Sequence, residues 1–233
     1  MESIKYRTAL IVGAGAGLSA ALARRFAREG IRVALAARRT DKLDALCRET
    51  GAKAYACDAI SPDDVTALFA AVEQDSGAPD IVVYNASGRT RGALVDLVPA
   101  DVSKAIAVSA FGGFLVAQQA ARRMLANRHG AILLTGASAS VKGYAQSAAF
   151  AMGKFALRGL AQSMARELSP HGIHVAHFVI DGGIRSATRT EPKDRPDSML
   201  DPDALAASYW AVLCQPRSAW TWEMEMRPWV ETF

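Results

Sequence analysis

Two hydrophobic patterns alternate along the whole chain. Short, mostly apolar runs predict strands buried on both faces, and between them apolar residues recur at the spacing of one helix face. Strands are predicted at residues 9–12, 32–37, 53–57, 81–84, 131–135, 173–179 and 219–226. Helices are predicted from residue 18 onward and at about 41–49, 61–75, 100–108, 111–127, 147–168 and 204–214.

This alternation predicts an α/β fold with a parallel sheet. Because crossovers between parallel strands are right-handed, the helices cover both faces, and the sheet of about seven strands is doubly wound. The 233 residues are predicted to form one domain, residues 1–233, with a large core. A polar, proline-containing segment at about 185–203 interrupts the pattern and is predicted to be a substrate flap.

Composition narrows the classes of function. The formal net charge is only +4 and basic residues are spread along the helices, so we expect no nucleic-acid partner. No continuous apolar run approaches the roughly 18–20 residues that span a membrane, and the N-terminus lacks a secretory signal layout. Cys47, Cys57 and Cys214 have no metal-binding spacing and form no even disulfide set. We therefore expect no metal, no membrane partner and a reducing, cytoplasmic setting.

A glycine-rich turn connects the first predicted strand to the first helix. It contains Gly13, Gly15 and Gly17. Glycines let the backbone approach a pyrophosphate, and a helix N-terminus offers free N–H groups to it. The pattern G-x-G-x-x-G would need glycine where Leu18 stands, whereas G-x-x-x-G-x-G fits with Ser19 in its last place. The turn predicts a dinucleotide site; the alternative is a strand-to-helix turn that binds nothing.

Polar or glycine residues directly follow the other predicted strands. Arg38, Asp58 and Asn85 come after the second, third and fourth strands, and residues 136–140 and 181–182 follow the fifth and sixth. Ligands of doubly wound sheets bind at the carboxyl ends of the strands, so we expect these positions to line one crevice. The alternatives are a capping or turn role for Asp58 and a turn role for Asn85.

With these pieces in order, the chain resembles the short-chain dehydrogenase/reductase family over nearly its whole length. The residues that carry the resemblance are Gly13 and Gly17, Asp58, Tyr84-Asn85-Ala86-Ser87, Lys154 and Asp181-Gly182. The resemblance implies a Rossmann-type fold, a bound NAD(P), and hydride transfer between a carbinol and a carbonyl. It also implies a homodimer or homotetramer, because the matching helices pair between subunits in that family; the alternative is ordinary burial of these helices against the sheet.

The resemblance also implies cofactor-binding roles. Gly13, Gly17 and Leu18 would meet the pyrophosphate, with Gly15 in the same turn, and Asp58 would bind the adenine. Asn85 and Ala86 would pass beside the adenosine ribose, Lys154 would hold the nicotinamide ribose, and Ile184, with Gly182 before it, would border the carboxamide.

Charge at the end of the second strand indicates the form of the cofactor. A site for NAD needs a carboxylate there to bind the ribose 2′-hydroxyl, but this chain has Ala37 followed by Arg38. A guanidinium can bind a 2′-phosphate through two parallel hydrogen bonds. NADP is therefore the predicted cofactor. NAD remains the alternative, in which Arg38 and Arg39 are only the solvated start of the next helix.

The catalytic positions are where the chain departs from the family. Phe150 stands four residues before Lys154, where the family has its acid/base tyrosine, and a phenyl ring has no proton to transfer. The family's substrate-orienting serine falls at Ala137, one residue before Ser138, and Ser109 stands where an asparagine is expected. Lys154 and Ser138 are therefore the candidate catalytic residues, and Phe150 marks the missing tyrosine.

Two functions remain open at this point. The first is an NADP-dependent oxidoreductase for a small or medium carbonyl or alcohol, with a pocket between residues 89–95, 138–147 and the flap. The second is a protein that binds NADP without reaction and serves as a sensor or assembly partner. His174 and His177 are interpreted as packing residues. The hydroxyl groups that remain to replace the tyrosine are those of Ser138, Ser140, Tyr144 and Ser147.

Overall fold

The computed structural model describes residues 6–186 and 188–231 of the chain. Its seven strands are β1 (Thr8–Val12), β2 (Arg32–Ala37), β3 (Lys53–Ala56), β4 (Ile81–Tyr84), β5 (Gly130–Thr135), β6 (Ile173–Ile180) and β7 (Glu223–Met226). All neighbours are parallel, in the order β3-β2-β1-β4-β5-β6-β7. The chain therefore winds outward from β1 in one direction and then from β4 in the other, as predicted for a doubly wound sheet.

Helices cover both faces of this sheet. They are α1 (Leu18–Arg28), α2 (Asp44–Thr50), α3 (Pro62–Ser76), α4 (Pro99–Ile106), α5 (Gly112–Asn127), α6 (Ala148–Leu168) and α7 (Pro202–Leu213). Successive side chains of a strand point to opposite faces. In β1, Ile11 packs with α1, α2 and α7, whereas Leu10 packs with α3, α5 and α6. The α/β Rossmann-type fold with helices on both faces is confirmed.

Local sequence explains several of the observed boundaries. The α3 helix begins where Ser61 accepts a hydrogen bond from the Asp64 N–H and Pro62 occupies the first helical position. The α2 helix ends at Gly51, which adopts the left-handed conformation. The predicted strand at 219–226 is shorter in the structure, because residues Arg217–Ala219 form a 3₁₀ turn and only Glu223–Met226 pair with β6.

The helices predicted at 100–108 and 111–127 are joined without a break. A π-helical turn, Ala107–Phe111, connects α4 to α5. Ser109 lies in this turn and is fully buried. Its hydroxyl accepts a hydrogen bond from the Gly88 N–H (3.1 Å) and donates to the Gly88 carbonyl (3.3 Å). The wider turn thus lets a helix residue hold the loop that follows β4.

The segment Pro99–Asn127 has the length and composition of a membrane-spanning helix. The segment has 29 residues, and an 18-residue window within it reaches a mean hydropathy of 1.4; it is the one such segment in the part of the chain that the structure describes. It packs on the sheet: a Cβ at Gly112 would overlap the Tyr84 hydroxyl, and one at Gly113 would overlap Leu157. Core helices of globular domains share this composition, and here close packing against Tyr84 of β4 and Leu157 of α6 accounts for the two glycines.

Candidate functional site

Three adjoining cavities lie at the carboxyl ends of the strands. The nucleotide cavity, about 610 Å³, is lined by Gly13, Ala14, Arg38, Arg39, Lys42, Asp58, Asn85, Ala86 and Ser87, among others. The inner cavity, about 190 Å³, is lined by Asn85, Ser87, Arg89, Thr135, Ala137, Phe150, Lys154, Gly182, Ile184 and Arg189, among others. The outer cavity, about 730 Å³, is lined by Arg89, Arg91, Ser138, Tyr144, Ser147, Phe150, Arg189 and Arg195, among others.

These cavities share residues, so they form one crevice. Asn85 and Ser87 line both the nucleotide cavity and the inner cavity. Arg89, Phe150 and Arg189 line both the inner and the outer cavity. The structure therefore brings the residues that follow β1, β2, β3, β4, β5 and β6 to one side of the sheet.

The three glycines of the first turn have different surroundings. Gly13 has φ +85°, and a Cβ there would overlap the backbone of Ala86. At Gly15 and Gly17 an added Cβ would meet no atom within 4 Å. Gly13 is therefore required by the fold itself, whereas Gly15 and Gly17 border open space. Leu18 buries its side chain in the core, so only its backbone can meet a ligand.

Ser19 ties the glycine turn to the end of β4. Its hydroxyl donates to the Gly13 carbonyl (3.1 Å) and accepts from the Asn85 side-chain amide (2.7 Å). From the sequence, Ser19 is only a residue in the last glycine place of the motif. The hydroxyl of Ser19 could have indicated a hydrogen-bonding role. Its partner Asn85 could not be identified from the sequence, because the two residues are 66 positions apart.

Arg38 and Asp58 both line the nucleotide cavity. Arg38 is exposed, and no hydrogen bond or ion pair of its side chain occurs within the described residues. Arg39 instead binds Asp41 (2.7 Å). Lys42, which the sequence analysis did not identify, also lines this cavity. Asp58 accepts a hydrogen bond from the Ile60 N–H (3.3 Å), so the turn role and a place in the cavity occur together.

Lys154 is buried at the base of the inner cavity. Its ammonium donates a hydrogen bond to the Thr135 carbonyl at the end of β5 (2.7 Å). Burial, with a smaller contribution from the nearby Arg89 guanidinium, lowers the pKa of Lys154 to about 7. Phe150 is one helical turn earlier on the same face of α6, and its ring centroid is 5.9 Å from the Lys154 Nζ. Lys154 is thus a group that can hold or release a proton near neutral pH.

Arg89 lies over the ring of Phe150, at the position where the family resemblance leads us to expect a tyrosine. Its guanidinium carbon is 4.1 Å from the Phe150 ring centroid, a cation–π contact. Partial burial lowers the pKa of Arg89, and so do the positive charges of Arg91 and Arg189. Arg89 belongs to the predicted pocket wall at residues 89–95, but no pattern in the sequence indicates its contact with Phe150.

The four candidate hydroxyl groups separate into two sets. Ser138, Tyr144 and Ser147 line the outer cavity. The buried Ser140 hydroxyl instead accepts from the Ala137 N–H (3.1 Å) and lies 3.3 Å from His177 Nε2. Ser140 therefore shapes the loop after β5, and only the other three hydroxyl groups can face a ligand.

His177 belongs to a buried polar network behind this loop. Its Nδ1 lies 3.0 Å from Glu223, which also accepts two hydrogen bonds from Arg158 (2.6 and 2.8 Å). Burial lowers the pKa of His177 to about 4, against the opposing effect of Glu223, so the ring is neutral. The interpretation of His177 as a packing residue is incomplete, because its second nitrogen faces Ser140 and supports the loop that carries Ser138.

The two ends of the predicted flap are bound to each other. Ile184 forms a parallel bridge with Leu200, and Arg185 is paired with Asp201 and, at 3.9 Å, with Glu191. Because Asp201 is the N-cap of α7, the loop ends there rather than at 203. Ala187 lies outside the described residues. Ile184 and Gly182 meet Lys154 in the inner cavity, as the sequence analysis expects.

The residues in the crevice fit a dinucleotide. Gly17 precedes α1 without any side-chain cap, so the first N–H groups of the helix remain available to an anion. Gly15 and Gly17 leave space there, and Arg38 offers a guanidinium that the described residues leave unpaired. Lys154 lines the inner cavity, which joins the nucleotide cavity to the outer cavity.

Comparison with known proteins finds relatives along most of the chain. A family model described as short chain dehydrogenase matches residues 7–196. The protein "Short chain aldehyde dehydrogenase 1" of Euphorbia lathyris is 30% identical over 180 residues, which cover 75% of this chain but only 62% of that protein. The 3-oxoacyl-[acyl-carrier-protein] reductase MabA of Mycobacterium tuberculosis is 31% identical over 178 residues, 76% of this chain and 69% of that protein.

Solved structures match the chain over nearly its full length. A short-chain dehydrogenase from Rhodopseudomonas palustris is 36% identical with a TM-score of 0.83, over 97% of this chain and 100% of that chain. A metagenomic short-chain oxidoreductase in complex with NADP is 28% identical with a TM-score of 0.84, over 99% of this chain and 100% of that chain.

We predict that Gly13→Ala destabilises the fold itself. A side chain at positive φ and an overlap with the Ala86 backbone should together lower the free energy of unfolding by about 2–4 kcal/mol. Gly15→Ala is the matched control, because its Cβ meets no protein atom, and its unfolding free energy should stay within about 0.5 kcal/mol. Urea unfolding without added cofactor measures both. Equal stability of the two variants would contradict the assignment of Gly13 to the fold.

Proposed function

The chain belongs to the short-chain dehydrogenase family, and on that premise we propose that it is an NADP-dependent oxidoreductase of a small or medium carbonyl compound or alcohol. The observation that carries the proposal is the continuity of the crevice. Asn85 lines the cavity that contains Arg38 and also the cavity that contains Lys154. A dinucleotide with its phosphates at the uncapped start of α1 would extend along this crevice.

The choice of NADP rests on charge. Arg38 faces the nucleotide cavity, and none of the described residues neutralises it, whereas Arg39 is occupied by Asp41. Lys42 adds a second cation to the same wall. The preceding Ala37 supplies no carboxylate to bind a ribose 2′-hydroxyl. The similar metagenomic oxidoreductase that holds NADP is in keeping with this choice.

The proton transfer follows from the residues around Phe150. In reduction, a carbonyl carbon gains a hydride and its oxygen gains a proton; NADPH, when bound, supplies the hydride. Phe150 has no proton to give, so the Lys154 ammonium donates it and becomes a neutral amine. Near pH 7 both forms of Lys154 are populated, because its pKa is about 7. Solvent in the cleft then returns the proton to the amine.

Other groups position the substrate and the lysine. The Thr135 carbonyl holds the Lys154 ammonium, and the hydroxyl of Ser138, which lines the outer cavity from the loop after β5, can donate a hydrogen bond to the part of the substrate that lies there. The charged group that faces Lys154 is Arg89, while the neutral His177 lies behind the loop. In alcohol oxidation the same lysine, as a neutral amine, accepts the proton.

Exposed aromatic residues favour self-association. Phe111 and Phe114 are 46% and 41% exposed and stack at 6.2 Å, and on the neighbouring α6 Met152 and Phe155 are 55% and 45% exposed. Exposed apolar side chains on adjoining elements of a globular domain are typical of an interface. The face is suited to a second copy of this chain, because a two-fold contact buries the same patch on both subunits. The proposal is therefore a homodimer or homotetramer.

Arg38→Asp should reverse the cofactor preference. The carboxylate repels a 2′-phosphate and can accept from a 2′-hydroxyl, so NADPH affinity should fall by roughly 10- to 100-fold while NADH affinity rises. Fluorescence titration with both cofactors measures this. Arg28→Gln, an exposed arginine of α1 outside the crevice, is the control and should change neither affinity. Equal affinity of the native protein for NADH and NADPH would contradict the choice of NADP.

Lys154→Arg and Lys154→Met should both lose turnover, by roughly 10²- to 10⁴-fold. Arginine keeps the charge but cannot release its proton near neutral pH. In the native protein, carbonyl reduction should be constant below pH 7 and fall above it, because the ammonium is lost; alcohol oxidation should show the opposite trend. Initial rates across a panel of aldehydes, ketones and alcohols measure this, with Lys104→Met on exposed α4 as the control.

The same panel separates the enzyme from a protein that only binds NADP. Native turnover that persists in Lys154→Arg with an unchanged pH profile would contradict a proton role for Lys154. The result would instead support the binding protein if the native protein binds NADPH but turns over no compound, while the Phe150→Tyr variant shows turnover.

Phe114→Glu should dissociate the assembly. A buried carboxylate without a partner disfavours the interface, whereas Phe114→Leu keeps an apolar side chain and should leave the assembly intact. Light scattering during size-exclusion chromatography gives the mass of each variant. A monomeric native protein would contradict the homo-oligomer.

A further inference from the structure

We propose that the outer cavity is an anion site: the substrate carries a carboxylate or phosphate group that Arg91, Arg189 and Arg195 bind, with its reacting end in the inner cavity. This rests on the proposed oxidoreductase function and names its substrate class. The proposal rests on the arginines that line one cavity of about 730 Å³ without an equal number of carboxylates.

The charges in the wall of the outer cavity do not balance. Arg89, Arg91, Arg189 and Arg195 line it, against the carboxylates of Asp181 and Glu231. Asp181 is buried and already paired, with Lys142 at 3.2 Å and Arg227 at 3.8 Å. Glu231 is thus the acidic side chain left to oppose four guanidinium groups.

Three of these arginines also lack protein partners. Within the described residues, the side chains of Arg91, Arg189 and Arg195 form no hydrogen bond or ion pair. Several arginines outside the crevice are instead paired with carboxylates: Arg24 with Glu49, Arg123 with Glu73 and Arg158 with Glu223. Like charges gathered in a cleft raise the local potential and favour a bound anion.

The two sides of the cavity supply the cations separately. Arg91 follows Arg89 in the loop after β4, whereas Arg189 and Arg195 lie in the flap after β6. An oxyanion between them can accept hydrogen bonds from both sides, and a guanidinium fork matches the oxygens of a carboxylate or a phosphate. The cavity therefore selects for an anionic group and against a neutral one of the same shape.

The position of the cavity links this group to the reacting centre. Arg89, Phe150 and Arg189 line the inner cavity as well, so a substrate anchored in the outer cavity can extend past Phe150 towards Lys154. The phosphates of the cofactor have a different place, because Arg38 and Lys42 line the nucleotide cavity and neither Arg91 nor Arg195 does.

Matched carbonyl compounds test the proposal. The NADP⁺-loaded protein is titrated calorimetrically with 4-oxopentanoate, its methyl ester and 3-oxobutyl phosphate. At least one anion should bind roughly 10-fold more tightly than the ester, and added salt should weaken that preference. The tighter of the two anions identifies the oxyanion as carboxylate or phosphate.

Arg91→Gln and Arg195→Gln should each weaken binding of the preferred anion by roughly 5- to 10-fold and leave the ester unchanged. Arg28→Gln is the control and should behave as the native protein. NADPH affinity should be unchanged in all three variants. Equal binding of the anions and the ester, or a loss of NADPH affinity instead of anion affinity in the variants, would overturn the anion site.

Turnover separates this proposal from the function on which it rests. If the anions bind preferentially but no carbonyl compound is reduced, the anion site stands and the oxidoreductase function fails. If both anions and the ester are reduced with equal kcat/KM, the function stands and the anion site fails.

Discussion

The backbone of Gly13 lies directly against Ala86, where β1 and β4 end side by side. This contact holds together the parts of the crevice that come from opposite halves of the sheet. The N–H groups of Gly13 and Ala14 both donate to the Ala36 carbonyl at the end of β2 (2.9 and 3.0 Å). Ser19 adds the bond to Asn85. Three strand ends are thereby fixed at the point where the winding of the sheet changes direction, which is where a doubly wound sheet binds its ligand.

Most of the fold could be predicted because its signals are local. Each strand is a short apolar run, and each helix has its own apolar face. The place of Arg38, Asp58 and Asn85 also follows from local signals, since parallel strands bring their carboxyl ends to one edge. Likewise, the four-residue spacing of Phe150 and Lys154 on one helix places them on the same face.

The contacts that the sequence did not reveal join distant positions. Ser19 and Asn85 are 66 positions apart, and Ser140 and His177 are 37 apart. Each of these side chains has many possible partners in the sequence, and only the packing of the sheet and its helices selects one. The π-helical turn at Ala107–Phe111 is a similar case. It places Ser109 in a hydrogen bond with Gly88, and this partner lies in a loop outside the helix.

Phenylalanine at position 150 alters the electrostatics of the cleft as well as its hydroxyl chemistry. A phenyl ring offers a face to the Arg89 guanidinium and no hydrogen-bond partner to Lys154, whose ammonium is held by the Thr135 carbonyl. The same guanidinium contributes to the lowered pKa of Lys154. An anion bound beside Arg89 would offset that positive charge and raise the pKa of Lys154. The two proposals are therefore coupled: binding of an anionic substrate would favour the protonated lysine that carbonyl reduction requires.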